Sequence, residues 1–279
     1  MTVGKGHRNI TAAPVAISGG IGLSKMGRDG VTSLQDAGSP VVEPRRTMEI
    51  LVVLGAPRSG TTLVATALGA HPAVAMLMED FDGAVFRLIG GKLPAVKLCT
   101  PNQINLDHRR RWPQVLAGWN GWLRKRVGHR APQSRLSLRD MAAKAELKVV
   151  CVLREPAANV AAMRRRERNR SGESAREVVN RTFAIYEQLP SEPRMESRFL
   201  SFDRLVRDPE SQLRRLCDWL GLPFDPAMLD APRLNPLYPE ATFRAERAAA
   251  APDGSSQADD ESSVAALRAR HDALLARAL

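Results

Sequence analysis

Ile50-Leu-Val-Val-Leu-Gly-Ala-Pro-Arg-Ser-Gly-Thr-Thr-Leu63 decides the fold: an apolar run enters a glycine-bearing turn, and the turn opens on a helical pattern. Ile50 to Leu54 reads as a strand buried on both faces, because nothing polar interrupts it. Gly55 and Gly60 let the backbone turn sharply and come close to a ligand. Backbone N–H groups from Arg58 onward can converge on one concavity, where the next helix presents its positive dipole end. Thr61 and Thr62 add hydroxyl donors, and Arg58 adds a planar charged fork suited to phosphate oxygens. Such a turn binds a phosphate.

The spacing nearly meets that of a nucleoside triphosphatase loop. Gly55 to Gly60 fits G-x-x-x-x-G, but Thr61 stands where a Lys is required. No clear apolar strand ending in a Mg²⁺-binding Asp follows. The turn therefore points to a nucleotide with a terminal phosphate on its sugar, and away from ATP hydrolysis.

Composition narrows the classes further. A chain of 279 residues with 44% hydrophobic content can bury a full core, most simply as one domain. Cys99, Cys151 and Cys217 are scattered, with no disulfide framework or zinc spacing, which fits a reducing compartment and a cytoplasmic enzyme. No apolar run is long enough to span a bilayer, and the N-terminus has no signal-peptide pattern. The net charge of +11 suits nucleic acid, an anionic membrane or anionic small ligands. Zinc-finger spacing, RNP-like aromatic strands and a recognition helix are absent, and aromatics are only 5% of residues. A nucleotide with an anionic or neutral acceptor matches better than nucleic acid.

Strands alternate with helices along the rest of the chain. Residues 1–47 read as a flexible N-terminal arm, and 48–279 as a single α/β domain. A helix is expected over Thr61 to Ala70, ended by His71-Pro72. Strands are expected at Val74 to Met78, Ala95 to Cys99, Leu147 to Leu153 and Arg198 to Phe202, with a helix over Phe81 to Ile89. Trp112, Leu116, Trp119 and Leu123 form a helical stripe between Arg109-Arg110-Arg111 and Arg124-Lys125-Arg126. Its basic side is either a solvated face or an attractor for an anionic acceptor or membrane. Arg154-Glu155-Pro156 ends a strand and starts a helix running to about Arg168, followed by another over Ser174 to Gln188. Asp208-Pro209 caps a further helix that Gly221 ends. Met228 to Gly254 reads as largely irregular, and a terminal helix occupies about 262–279. This alternation implies a mostly parallel central sheet flanked by helices on both faces.

Three pieces, in order, resemble the sulfotransferases that use PAPS, 3′-phosphoadenosine 5′-phosphosulfate. Gly55-Ala-Pro-Arg-Ser-Gly-Thr-Thr62 looks like their 5′-phosphosulfate loop. Val150-Cys-Val-Leu-Arg-Glu-Pro156 looks like the strand and turn of their 3′-phosphate motif. Phe202-Asp-Arg-Leu-Val-Arg-Asp-Pro-Glu210 with Leu220-Gly-Leu222 resembles their late segment and its helix. The likeness covers roughly Glu49 to Phe224. It implies a P-loop-like three-layer α/β fold, PAPS as donor, PAP as product, and a hydroxyl or amine acceptor. By resemblance, Arg58, Ser59, Gly60, Thr61 and Thr62 hold the 5′-phosphosulfate end and Arg154 the 3′-phosphate. The family's usual Ser eight residues after that Arg is Ala162 here, so a contact is lost or supplied elsewhere, by Asn159 or Arg164. The family's Tyr is Phe202, which keeps stacking or packing and loses a hydroxyl contact.

Arg58-Ser-Gly-Thr-Thr-Leu63, His71-Pro72 and Glu79 further resemble the tyrosylprotein and bacterial branch, in which a Glu at the position of Glu79 is the general base. Sulfuryl transfer needs in-line placement and positive charge around the moving group. Glu79 follows a strand and can face the crevice beyond the strand ends, with Asp80 as its rival. Lys97 interrupts an apolar strand and, with Arg58, is a candidate to meet the leaving group; a strand-edge Lys is its alternative. His71 reads as structural. No metal-ligating cluster is evident in the sequence, and sulfuryl transfer does not require one. A P-loop kinase for a small metabolite and a non-catalytic nucleotide-binding protein of the same fold are the other readings. The acceptor, whether small molecule, carbohydrate or peptide, is not legible.

Overall fold

The computed structural model describes residues 48–88, 90–107, 134–166, 172–230, 243 and 259–278. Contacts divide the chain into Met1–Arg45 and Arg46–Leu279. The expected arm over 1–47 lies outside the described residues, as do the Trp112 to Leu123 stripe and its Arg clusters.

Among the described residues five strands form one sheet: β1 (Glu49–Gly55), β2 (Val74–Met78), β3 (Leu93–Cys99), β4 (Glu146–Leu153) and β5 (Met195–Ser201), in the order β2-β3-β1-β4-β5. Every pairing is parallel. The central β1 shows why the sequence demands helices on both sides. Ile50, Val52 and Leu54 enter one core, while Leu51 and Val53 enter the other, all fully buried.

The first core packs against α2 (Leu138–Ala142), α3 (Pro156–Arg166), α4 (Gly172–Gln188) and α8 (Asp259–Leu275). The second packs against α1 (Thr61–Ala70), α5 (Phe202–Arg207), α6 (Pro209–Leu220) and α7 (Ala227–Asp230). The result is the expected three-layer α/β fold with helices on both faces of a parallel sheet. No helix among the described residues is long and apolar enough to cross a membrane.

Local chemistry sets the helix ends. Ser137 and Asp140 close a capping box on α2, Ser201 accepts from Arg204 N at the start of α5, and Asp208 accepts from Ser211 N at the start of α6. Gly221 ends α6 in the left-handed conformation (φ 71°). Helix α1 differs: its N-cap is Gly60 (φ 103°), and no side chain among the described residues caps its first turn.

Some boundaries depart from expectation. In place of a helix over Phe81 to Ile89 there is one 3₁₀ turn at Ala84–Arg87. Asp80 takes the Asp82 and Val85 N–H groups, and Gly83 adopts φ 77°, so the backbone closes as a tight turn. Strand β5 ends at Ser201, because Ser201 caps α5 and Phe202 becomes that helix's first residue. Helix α2 begins at Leu138 after its Ser137 cap, and residues 108–133 before it lie outside the described residues.

Candidate functional site

The expected site residues come together at the carboxyl ends of the strands. Gly55 pairs with both Cys99 and Val152, Met78 pairs with Lys97, and Leu153 pairs with Ser201. The turn after β1, Glu79 after β2, Lys97 in β3, Arg154 after β4 and Phe202 after β5 therefore lie at one end of the sheet. Ligands of open parallel sheets bind at that end.

The turn at 55–62 is held tightly. Gly55 O accepts from Thr100 N (2.9 Å), Ser59 N donates to Ala56 O (3.1 Å), and Val64 N donates to Gly60 O (3.2 Å). Arg58 adopts φ 67°, a left-handed conformation uncommon for a residue with a side chain. A Cβ at Gly55 would overlap Ser59 Oγ and Thr61 Cγ2, so only glycine fits beneath the turn. Arg58 is exposed, Ser59 and Thr61 are buried, and Thr62 is half-buried. Ser59 Oγ is fully buried and has no partner among the described residues.

Arg154 joins this turn from the side. Its Nη1 donates to Arg58 O at 2.9 Å, and its guanidinium carbon lies 4.8 Å from the Phe202 ring centroid. Burial lowers the Arg154 pKa; Arg165 and Arg58 push the same way, against Asp203 and Glu155. Asp203 Oδ2 accepts from Glu155 N (3.1 Å), and Glu155 Oε2 accepts from Ala158 N (2.7 Å) in the first turn of α3. Ala162 is buried on α3 and offers no hydroxyl. Asn159 is buried nearby on the same helix, and its Oδ1 has no partner among the described residues. Arg164 is exposed, and the charge that Arg154 feels from this helix is that of Arg165.

At the ends of β2 and β3, Lys97 Nζ binds Glu79 Oε1 at 2.7 Å. The Lys97 side chain is 5% exposed and that of Glu79 43%, so a buried cation holds a carboxylate that still reaches solvent. Glu79 adopts φ 64°, and its N–H donates to Lys97 O (3.0 Å), extending the β2–β3 pairing by one residue. Burial pushes the Glu79 pKa up, but the Lys97 ammonium and the Gln103 amide outweigh it and hold the carboxyl below its usual range. Burial likewise works to lower Lys97, and the neighbouring Cys99 and Glu79 raise it overall. Asp80 is committed to the turn at 82–85. His71 is buried; its Nδ1 accepts from Ala73 N (3.1 Å), so Nε2 carries the proton and donates to Pro223 O (2.7 Å). That is the expected structural role.

Two supporting residues escaped the sequence reading. Gln103 is buried, and its Oε1 accepts from Cys99 N (2.6 Å), which turns its amide nitrogen toward Glu79. Tyr186 is fully buried on α4, and its hydroxyl donates to Leu54 O (2.9 Å) with Val152 O at 3.2 Å, beneath the turn. A Gln in a loop and a Tyr in an amphipathic helix carry no signal that tells them from ordinary residues.

Residues 141–226, less than half of the chain, match the profile of the Sulfotransferase family. The matched segment contains Arg154, Ala162 and Phe202, and leaves out the 55–62 turn, Glu79 and Lys97. No curated protein matches the chain. Among solved structures, the sulfotransferase domain of the Synechococcus PCC 7002 olefin synthase is similar, with 19% identity, 81% of this chain and 97% of that one covered, and a TM-score of 0.47. The sulfotransferase domain of the curacin biosynthetic pathway gives 15%, 79%, 97% and 0.47. A mouse sulfotransferase complexed with PAP gives 13%, 67%, 64% and 0.36.

Proposed function

We propose that this chain is a sulfotransferase that moves the sulfuryl group of PAPS to an acceptor hydroxyl or amine, with Glu79 as general base. The observation that carries the reading is the bond from Arg154 Nη1 to Arg58 O. It puts the side chain proposed for a sugar phosphate beside the turn proposed for the 5′-phosphosulfate, as a nucleotide with phosphates on both sides of its ribose requires.

The residues fit such a donor. The uncapped first turn of α1 leaves N–H groups for an anion, Ser59 Oγ lacks a partner among the described residues, and the turn admits no Cβ at Gly55. Arg58, Ser59, Gly60, Thr61 and Thr62 would hold the 5′ end. Arg154 would hold the 3′-phosphate, with Asn159 and Arg165 in place of the hydroxyl that Ala162 lacks. Phe202 supports that end by packing under Arg154.

In the transfer, the bond between sulfur and the donor's phosphate oxygen breaks, and a bond from sulfur to the acceptor atom forms. The acceptor proton goes to Glu79, whose lowered pKa keeps it ionised and ready to accept. Lys97 faces both Glu79 and Cys99 and, with three N–H donors, keeps one beyond those two partners. With Arg58 and the α1 N-terminus it offsets the charge that develops on the departing phosphate. The Glu79–Lys97 pair also supports the tyrosylprotein and bacterial branch over branches that use a His. The three free cysteines support a reducing compartment such as the cytoplasm.

The test is a panel of acceptor classes with labelled PAPS, run beside Glu79→Gln and calorimetry with PAP. Transfer to at least one class, abolished in E79Q with PAP affinity kept, supports the reading. Tight binding of ATP with Mg²⁺ and no affinity for PAP overturns it in favour of a kinase.

A further inference from the structure

We infer that Arg154 and Phe202 form a brace that holds the phosphate turn in its binding shape, which makes Arg154 a positioning residue for the 5′ end of the nucleotide. This deepens the donor reading and rests on it only for the ligand arm of the test.

The turn contains a peptide that must be held from both sides. Arg58 sits at φ 67°, a conformation that costs a residue with a Cβ. The Arg58–Ser59 peptide is planar, so fixing its oxygen also aims its N–H. Both ends are fixed: Arg154 Nη1 donates to Arg58 O at 2.9 Å, and Ser59 N donates to Ala56 O at 3.1 Å. The first of these bonds is charge-assisted and is the stronger kind.

Phe202 supplies the other half. A Cβ on Gly60 would fall on the Phe202 ring, so the ring occupies the space that glycine leaves open, against the turn itself. Its opposite role is to carry the Arg154 guanidinium, 4.8 Å from its centroid. Phe202 is buried, and its place is set by the Ser201 cap at the start of α5. The Glu155 N–H bond to Asp203 Oδ2 then ties the residue after Arg154 to the residue after Phe202. Residues 58–60, 154–155 and 202–203 thus interlock across the ends of the adjacent strands β1, β4 and β5.

An arginine that only reads a sugar phosphate would leave the turn unchanged when removed. The brace predicts otherwise, before any ligand is added. The test is hydrogen–deuterium exchange on the ligand-free full chain, comparing wild type with R154Q, R154K and F202L. In R154Q the amides of residues 59–64 should exchange about tenfold faster, the size of one lost charge-assisted bond, with β4 and α6 unchanged. R154K keeps a charge and a donor without the flat stack, and should fall between. F202L keeps apolar bulk but loses the ring, so its acceleration should be smaller and confined to the same residues. It also decides the matter if R154Q exchanges fast throughout.

Calorimetry with adenosine 5′-phosphate, which has no 3′-phosphate, and with PAP forms the second arm. R154Q should weaken both, PAP more. Wild-type exchange in the turn together with wild-type affinity for adenosine 5′-phosphate in R154Q would overturn the brace. If the wild type bound neither compound, the donor reading would fall, while the exchange arm would still decide the brace.

Discussion

The two ends of the sheet carry similar groups and handle them in opposite ways. At the amino ends of β4 and β5, Glu49, Glu146, Lys148, Glu192, Arg194 and Glu196 line a shallow surface concavity. Arg194 is left-handed there (φ 60°), as Arg58 and Glu79 are at the carboxyl end. Yet Arg194 pairs with Glu146 (2.8 Å) and Lys148 with Glu49 (3.4 Å), with at least one partner of each well exposed. At the carboxyl end Lys97 is buried, Ser59 Oγ is unmatched among the described residues, and α1 begins without a side-chain cap. Charge and backbone strain occur at both ends. What sets the carboxyl end apart is polar capacity left open in a buried setting. The topology favours this, since α1, α3 and α5 each begin just after a strand and gather their positive ends there.

Substitutions can break or sharpen that contrast. The largest effect is expected from Glu79→Gln, which should cut transfer by roughly 10²-fold or more with PAP affinity kept, as read by labelled-donor turnover and calorimetry. Undiminished turnover would remove the base from the carboxyl end. Next, Gly60→Ala would push a Cβ into the Phe202 ring at a left-handed φ of 103°. It should cost about 2–3 kcal/mol in denaturant unfolding, from overpacking plus backbone strain. Gly221→Ala is the control, since its Cβ would meet nothing within 4 Å at φ 71°. Its cost should stay near ~1 kcal/mol, from backbone strain alone.

A pH effect follows from the Glu79–Lys97 pair. The folded-state pKa of Glu79 is depressed, so the pair stabilises the fold above the usual carboxylate range and loses that contribution as pH falls through the lowered value. Lys97→Met leaves Glu79 with burial but without the ammonium, which raises its pKa. The acid limb of the rate profile should therefore move to higher pH than in wild type, and an unmoved limb would detach the base from Lys97. The smallest effect belongs to the amino end. Arg194→Gln breaks an exposed pair and should change stability by about 1 kcal/mol or less. PAP affinity should not move; if it did, the two ends would not be independent.

The parts legible in sequence were those governed by neighbours along the chain. The helix over Thr61–Ala70, the strand Val74–Met78 and the Asp208 and Gly221 ends of α6 appear where the pattern predicts them. Apolar continuity, a turn glycine and a capping carboxylate act within a few residues, so the sequence displays them directly. The segment from Phe81 was misread because Asp80 spends its carboxylate on local N–H groups, a choice composition does not reveal. Tyr186 carries no such signal, since Leu54 and Val152 are brought to it by packing; Gln103 bonds Cys99 only four residues away, but its reach to Glu79 depends on how β2 and β3 pack.

From sequence alone come the glycine-bearing turn after the first strand, the Thr61 that departs from a triphosphatase loop, and the alternation that builds a parallel sheet. Tertiary structure decided which carboxylate meets Lys97, because strand register sets Met78 beside Lys97 and so brings Lys97 to Glu79 while Asp80 is spent on its own turn. It also decided that Phe202 packs against Gly60 and under Arg154. Local signals act through bonds a few residues long, whereas these pairings depend on strand order and register, which bring together groups far apart in the chain.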